Sequence, residues 1–451
     1  QEAGRLLPPS PPPPPFSPCA VAAAYAGMAT FGRGLLGRLL LRAPAPLPGA
    51  AAAAARGLAA GTGGLKQTLV HGEHVADGGK MVDFAGYSMP VQYSKAGSAH
   101  ALSIIESTKW TRESASLFDV SHMCSIRWTG KDAVDFLERV TTADVRGLAP
   151  MTGTLSVILN EAGGVIDDTI VSKCVSKEHG EHVYQVVNAG CAQKDLAHFE
   201  AELGRFGGDV RMEVLWDDRG LFALQGPKAV EVLQRLSPSA DLSAVTFGQL
   251  VWLPLEGAEC LVTRCGYTGE DGVELFVPGG AAQAVWRLLR AQPEVRLAAL
   301  GARDALRLEA GLCLYGHDID EETTPVEAGL AWVVAKARRS PGGGRAAFLG
   351  SERVLAQLAD KSLYTRLRAG LAPLYGPPAR AGALVETSEG RAVGRVTSGT
   401  MSPCLRKNIA MGYIEKPFNK QGTELQVVVR GKRYPAVTVK MPFVPTKYHR
   451  G

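Results

Sequence analysis

The sequence predicts an α+β fold ending in a separate β-rich region, and three observations carry that reading. Strand-like and helix-like segments mix through most of the chain without the regular strand–helix–strand rhythm of a doubly wound sheet. Residues 160–171, NEAGGVIDDTIV, read as a strand entered through a Gly163-Gly164 turn. After a basic, Gly/Pro-rich break at residues 336–345 (KARRSPGGGR), read as a linker or mobile loop, short strands alternate with turns to the end.

Composition narrows the function. The chain has 451 residues, 46% of them hydrophobic, and a formal charge of +5. That whole excess lies in residues 1–66, where Arg5, Arg33, Arg38, Arg42, Arg56 and Lys66 face one acid, Glu2. The remainder is charge-balanced, which speaks against a nucleic-acid-binding body. The eight cysteines form no CxxC pair, zinc pattern or disulfide framework, so they read as small core residues in a reducing compartment. No apolar run approaches the roughly 20 residues of a membrane span.

Residues 1–65 read as a leader. The first methionine is Met28, so residues 1–27 are expected to be translation of upstream sequence. Residues 28–65 are Arg-bearing, Leu-rich and free of acids, the composition of a mitochondrial transit peptide; a secretory signal is the weaker reading. Gly32, Gly34 and Gly37 match GxGxxG, but no strand precedes them and no acid follows at about 20 residues, so the match is coincidence.

The body follows in order, from residue 66 to 345 with two interleaved α+β domains, then from 346 to 451 as the β domain. Residues 80–93 (KMVDFAGYSMPVQY) predict a strand, a turn at Gly86 and an extended segment set by Pro90. Residues 98–110 have helical spacing, and residues 117–123 (LFDVSHM) form a short strand in which His122 reads as structural. The pairs His71/His74 and His179/His182 lack a third ligand nearby, so no metal site is expected. Residues 131–140 predict an amphipathic helix, and residues 154–159 lead into the central turn. A strand at 183–188 ends at Asn188, a helix covers 194–206, a strand 221–226 and a helix 228–236.

Four windows carry chemistry. Asp167 and Asp168 sit in a strand that otherwise reads as buried, on opposite faces; one is expected to face solvent and the other the interior or a cleft. The bland alternative is that both cap a hairpin mouth. In residues 264–274 (RCGYTGEDGVE), Gly272 opens a strand that places Glu274 and Phe276 on one face. A carboxylate there suits a ligand edge with two adjacent N–H donors, as a pteridine or guanine presents, and a cross-strand salt bridge is the alternative. The helix at 300–310 carries Arg303 and Arg307 one turn apart, either to clamp a ligand carboxylate or to pair with Asp304 and Glu309. The apolar end, MPFVPTKY, holds Tyr448.

Seven blocks occur in order: KMVDFAG…MPVQY, LFDVSHM, NEAGGVIDD, GYTGEDGVE, RDALRLEAGLCLYGHDID…TPVEAGL, GRVTSGTMSP and KMPFVPTKY. Over about residues 68–450 they resemble the T-protein of the glycine cleavage system, a folate-dependent aminomethyltransferase. The resemblance implies three domains around a central folate tunnel, with a barrel- or jelly-roll-like C-terminal domain. It implies Asp168 as the catalytic carboxylate at the N10 side of the pterin, with Asp167 its outward neighbour. Glu274 would hold the pterin amino and N3–H edge, and Arg303 and Tyr448 would make other substrate contacts. Met123, Leu155, Asn188 and Tyr267 would line the pocket. The implied reaction takes an aminomethyl group from the lipoyl arm of H-protein, releases ammonia and converts tetrahydrofolate to 5,10-methylenetetrahydrofolate in the mitochondrial matrix, without a metal. P- and L-proteins would be functional partners.

Two departures, the missing proline in Thr68–His74 (TLVHGEH) and Tyr87 where Trp is common, put packing at the N-terminal edge in question. The related folate-binding iron–sulfur assembly factors carry Cys-Tyr-x-Gly-Gln-Glu in the loop occupied here by residues 265–270, CGYTGE; the offset cysteine, the missing Gln and Asp168 argue against that class. A flavin-linked dehydrogenase would need a dinucleotide-binding domain for which the chain has neither room nor fingerprint.

Overall fold

The computed structural model describes residues 64–216, 218–340 and 347–451. The leader up to residue 63, with its GxGxxG match and Cys19, and the 341–346 part of the basic break lie outside the described residues.

The central turn forms as the sequence predicts. Strands Thr152–Leu159 and Val165–Ser176 pair antiparallel, with Val157 opposite Asp168 and Ile158 opposite Asp167. Gly163 takes φ +79°, and a Cβ on Gly164 would fall 1.7 Å from the Glu321 carbonyl oxygen. Only glycine lets this turn lie against the 320s loop. The hairpin belongs to a five-stranded antiparallel sheet ordered Thr152–Leu159, Val165–Ser176, Gly180–Val187, Cys124–Thr129, Arg211–Val214. Helices Ala133–Val140 and Ala192–Phe206 cover one face of it, where Trp128, Phe136 and Phe199 are fully buried.

A second sheet has the order Leu250–Leu255, Ala258–Thr263, Gly272–Pro278, Arg219–Gln225, Ala115–Asp119, Val295–Leu297, with only the last pair parallel. Its outer face takes helices Ala229–Leu236 and Ala282–Arg290 around buried Trp286. The inner faces of the two sheets meet through Phe118, Tyr184, Ala223 and Phe276, joined by Ala302 and Leu306 of helix Leu300–Glu309. Tyr184 and Phe276 stand 4.8 Å apart, centroid to centroid, across this seam. Burying aromatic side chains of this size is the strongest single contribution to such a core.

The C-terminal strands close into a six-stranded barrel ordered Arg366–Pro373, Lys407–Glu415, Ala392–Ser402, Leu384–Glu386, Glu424–Val429, Lys432–Val439. Closure removes the edge strands that an open sheet of this kind would expose. Helix Leu300–Glu309 ties barrel to body. Arg307 bonds Asp318 at 2.6 Å and Ser398 at 3.0 Å, while the Ser402 hydroxyl donates to Glu309 at 2.5 Å.

Several expectations need correction. The break at 336–345 begins as structure, not linker: residues Lys336–Arg338 form a 3-10 turn, and Arg338 is buried with its guanidinium donating to the carbonyls of Glu138, Thr141 and Ala143. The helix expected from 98 starts at Ile104 because Ser103 and Glu106 build a reciprocal capping box. The N-terminal edge packs fully despite its departures. His74 is buried with Nε2 2.9 Å from Asp119 and Nδ1 2.9 Å from the Tyr93 hydroxyl, and Tyr87 is buried beside Trp216. The described cysteines are all free thiols, and no described helix is long and apolar enough to cross a membrane.

Candidate active site

The candidate site lies where the inner faces of the two sheets and helix Leu300–Glu309 converge, around Asp168, Glu274, Tyr267 and Arg303. The hairpin contributes Asp168, which remains partly open, while Asp167 is completely buried. This reverses the expected assignment of Asp167 as the outward neighbour. The reason is a partner from the neighbouring strand's end: Asp167 accepts from the Asn188 backbone N–H at 2.9 Å and from Asn188 Nδ2 at 2.8 Å, so burial is compensated. The strand Gly180–Val187 ends one residue earlier, which frees Asn188 to turn both its main chain and its amide toward the aspartates. The same Nδ2 lies 3.0 Å from Asp168 Oδ1 and 3.2 Å from its carbonyl oxygen.

Burial pushes Asp168 up to about 7, the charge of Asp167 pushes the same way, and the Asn188 amide and the positive charge of Arg303 work against both. Burial also raises Asp167, opposed by its bonds to Asn188. A carboxyl poised near neutrality can hold or release a proton under physiological conditions.

The second sheet contributes Glu274, opposite Thr263 on one neighbour and Ala223 on the other. Burial raises its pKa, the charge of Arg303 opposes this, and the Cys265 thiol acts as a hydrogen-bond partner. Among the described residues Glu274 makes no salt bridge, so the cross-strand ion pair is not what occupies it. Arg303 is likewise without an ion pair among the described residues, and its buried Nη1 has no hydrogen-bond partner. Its guanidinium lies 4.8 Å from the Tyr267 ring centroid. A buried donor without a partner is costly, so Arg303 Nη1 calls for a ligand acceptor, and Glu274, held by the Cys265 thiol, can accept from the same ligand.

The two arginines of this helix therefore divide. Arg303 faces the cleft, whereas Arg307 is buried in bonds to Asp304, Asp318 and Ser398 and is no clamp. Glu309 pairs with Arg112 at 3.0 Å instead of with Arg307. Tyr267 hydrogen-bonds the Cys313 carbonyl, and both Asp168 and Arg303 affect its ionisation. Met123 packs against the inter-sheet core, and Leu155, opposite Ile170, shares the Asp168 face of the hairpin and packs toward Tyr315 and Cys313. Tyr448 is half-buried with its ring 4.5 Å from Phe247, and burial raises its pKa. Its segment is pinned by Lys447 N–H to the Gly269 carbonyl at 2.8 Å and by Phe247 N–H to the His449 carbonyl at 2.7 Å. His122, read as structural, is buried against Phe84, and burial lowers its pKa to about 4.

Two groups at the site were not anticipated. Cys265 borders Glu274, and Asp195 lies fully buried behind Asp167. Asp195 did leave a signal: it falls with Ala192, Phe199 and Glu202 on the buried stripe of its helix, where an acid is out of place.

Two facing sheets and a closed barrel, with a buried acid raised toward neutrality near an arginine that makes no ion pair among the described residues, form the kind of site an enzyme uses to handle protons. Residues 70–338 match the GCVT N-terminal domain, and residues 366–445 match the glycine cleavage T-protein C-terminal barrel domain. The chain is 50% identical over 391 residues to the mitochondrial aminomethyltransferase of Mesembryanthemum crystallinum, covering 86% of this chain and 91% of that one. It is 48% identical over 403 residues to that of Gallus gallus, covering 88% and 97%. The crystal structure of glycine cleavage system aminomethyltransferase T from Bartonella henselae superposes with a TM-score of 0.76 at 36% identity, over 86% of this chain and all of that one. The chain belongs to the glycine cleavage T-protein family. Its activity is accordingly that of an aminomethyltransferase and its location mitochondrial, as the ordered motifs led one to expect.

Proposed function

We propose that this cleft binds tetrahydrofolate and transfers to it the one-carbon unit of an aminomethyl-lipoyl arm carried by H-protein, releasing ammonia and yielding 5,10-methylenetetrahydrofolate in the mitochondrial matrix. The observation that carries the reading is the Arg303 guanidinium, with a buried Nη1 that has no hydrogen-bond partner, in one electrostatic neighbourhood with the Glu274 and Asp168 carboxyls.

Each residue then has a task its chemistry suits. Glu274 accepts hydrogen bonds from the amino and N3–H edge of the pterin, the kind of two-donor edge a carboxylate matches. Arg303 supplies donors to acceptor atoms of the same ligand and, by its charge, keeps Asp168 from rising further. Asn188 fixes the Asp168 carboxyl by the 3.0 Å bond to Oδ1. Asp168 takes up and returns a proton as the amine leaves and the one-carbon unit is joined to folate. A positioned acid–base group of this sort contributes about 10²–10⁴-fold. Tyr448, Tyr267, Met123 and Leu155 wall the pocket and exclude water, which strengthens every charge interaction inside it. No metal enters this scheme; the P- and L-proteins act before and after this step.

The reading is tested by substituting Asp168→Asn and following ammonia release and folate binding separately. Loss of turnover with folate still bound supports it; near-normal transfer at saturating folate sinks it.

A further inference from the structure

Behind the proposed catalytic carboxyl lies a second acid that its assignment leaves unused. Asp195 is on helix Ala192–Phe206 and is fully buried. Neither of its carboxyl oxygens receives a hydrogen bond from an N–H or O–H donor. What it faces is Asp167, near enough for the two carboxyls to bond to each other. Two acceptors can do this only if one carries a proton, and two buried carboxyls cannot both stay ionised at close range.

The helix is itself docked on the same turn. The Cys191 N–H donates to the Asn188 carbonyl at 2.9 Å, and the Asp195 N–H donates to the Cys191 carbonyl at 2.9 Å. These bonds link Asp195 through the first turn of its helix to Asn188, which holds both strand aspartates.

We propose that Asp195 is a positioning residue for the one-carbon transfer: held as the neutral acid, it donates to Asp167, which keeps Asp167 an ionised anchor for Asn188 and so fixes Asn188 against Asp168. The inference rests on the reading of Asp168 given above. Asp167 has both oxygens committed, Oδ2 to the Asn188 main chain and Oδ1 to its amide, and the Cys191 thiol bonds it as well. If Asp167 had to carry the proton itself, one of those oxygens would become a donor facing another donor, and Asn188 would lose its hold. The Asp195 donor removes that conflict.

The charges around Asp195 are consistent with this. Asp167 faces it from the strand, the charge of Asp168 reaches it from the strand's other face, and Cys191 lies at the start of its helix; burial and the negative charge of Asp167 favour its neutral form. Lys194, a nearby cation among the described residues, opposes this but is engaged elsewhere, in bonds to Tyr315 and to Glu321 at 2.8 Å. Arg303 acts on Asp168 from the other side of the cleft.

The test compares Asp195→Asn, which retains a permanent donor to Asp167, with Asp195→Ala, which has none. The Asn variant is expected to stay within about threefold of wild-type kcat with an unchanged pH profile. The Ala variant is expected to lose roughly tenfold or more in kcat with the folate KM little changed, as removal of a transition-state positioning interaction should. Its acidic limb should also move to lower pH, because Asp167 would take the proton and no longer repel the charge on Asp168. Infrared spectra of the folded protein, recorded above the titration of Asp168, should show a protonated-carboxyl C=O band that Asp195→Asn abolishes. Equal losses in both variants, an undiminished Ala variant, or a carboxyl band unaffected by Asp195→Asn would each overturn the proposal. If Asp195→Ala does not fold, the Asn variant and the infrared band still decide. Should Asp168→Asn prove active, the reading of Asp168 falls by itself, and the infrared band still reports on Asp195.

Discussion

Asn188 and Asp168 are joined by a 3.0 Å hydrogen bond from the amide Nδ2 to Oδ1, and the same amide reaches Asp167 Oδ1 at 2.8 Å. One side chain thus sets the orientation of both acids of the hairpin. Substituting Asn188→Leu removes the amide donor to the buried Asp167 and leaves it the main-chain N–H and its contacts with Asp195 and Cys191. An unmet buried charged acceptor costs about 1–3 kcal/mol or more. Turnover should fall by roughly 10²-fold, on the scale set for a mispositioned acid–base group. The checks are kcat for ammonia release and a urea midpoint, and both should drop.

The raised pKa of Asp168 makes a prediction about stability. An unfolded Asp titrates near 3.9, whereas the folded Asp168 is pushed up to about 7, chiefly by burial. Between about pH 4 and 7 the folded protein therefore holds a proton the unfolded chain has released. That contribution is complete below the unfolded value and lost as pH rises through about 7. Asp168→Asn should accordingly raise the urea midpoint relative to wild type at pH 8, and by less at pH 5. Denaturation curves at the two pH values provide the check; an equal shift at both would show that burial is not what perturbs this acid.

Arg303 should report on binding and on proton affinity together. Its loss in Arg303→Gln leaves Glu274 without the nearby positive charge and Asp168 without its counterweight. Folate KM should rise by about tenfold or more, the size of one charge-assisted contact. The acidic limb of the rate profile should move to higher pH, since the charge that held Asp168 down is gone. The thermal midpoint should not fall, because the removed Nη1 was buried without a partner. Titration of folate binding, rate–pH profiles and a melting curve separate the three effects.

Much of this was legible beforehand because it is local. The Gly163-Gly164 turn, the alternation that puts Glu274 beside Phe276, and the basis for a C-terminal β region all follow from turn chemistry and strand period. What stayed hidden depends on partners distant in sequence. Period alone places Asp167 and Asp168 on opposite faces, but only Asn188, about 20 residues away, decides that Asp167 is the buried one. Arg307 looked equivalent to Arg303 until Asp318 and Ser398 claimed it. Arg338 reads as part of a basic linker, yet three carbonyls near residue 140 bury it. The ordered motifs identified the family independently of these details, since they mark the chain and not its side-chain partners.

The measurement that bears most directly on the whole mechanism is single-turnover formation of ammonia and 5,10-methylenetetrahydrofolate from aminomethylated H-protein and tetrahydrofolate, for the wild type and for Asp168→Asn, with folate affinity determined alongside. The expected result is transfer in the wild type and a loss of at least about 10²-fold in the variant at unchanged folate affinity. Transfer by Asp168→Asn at a rate close to wild type, with folate bound, would contradict the role given to Asp168.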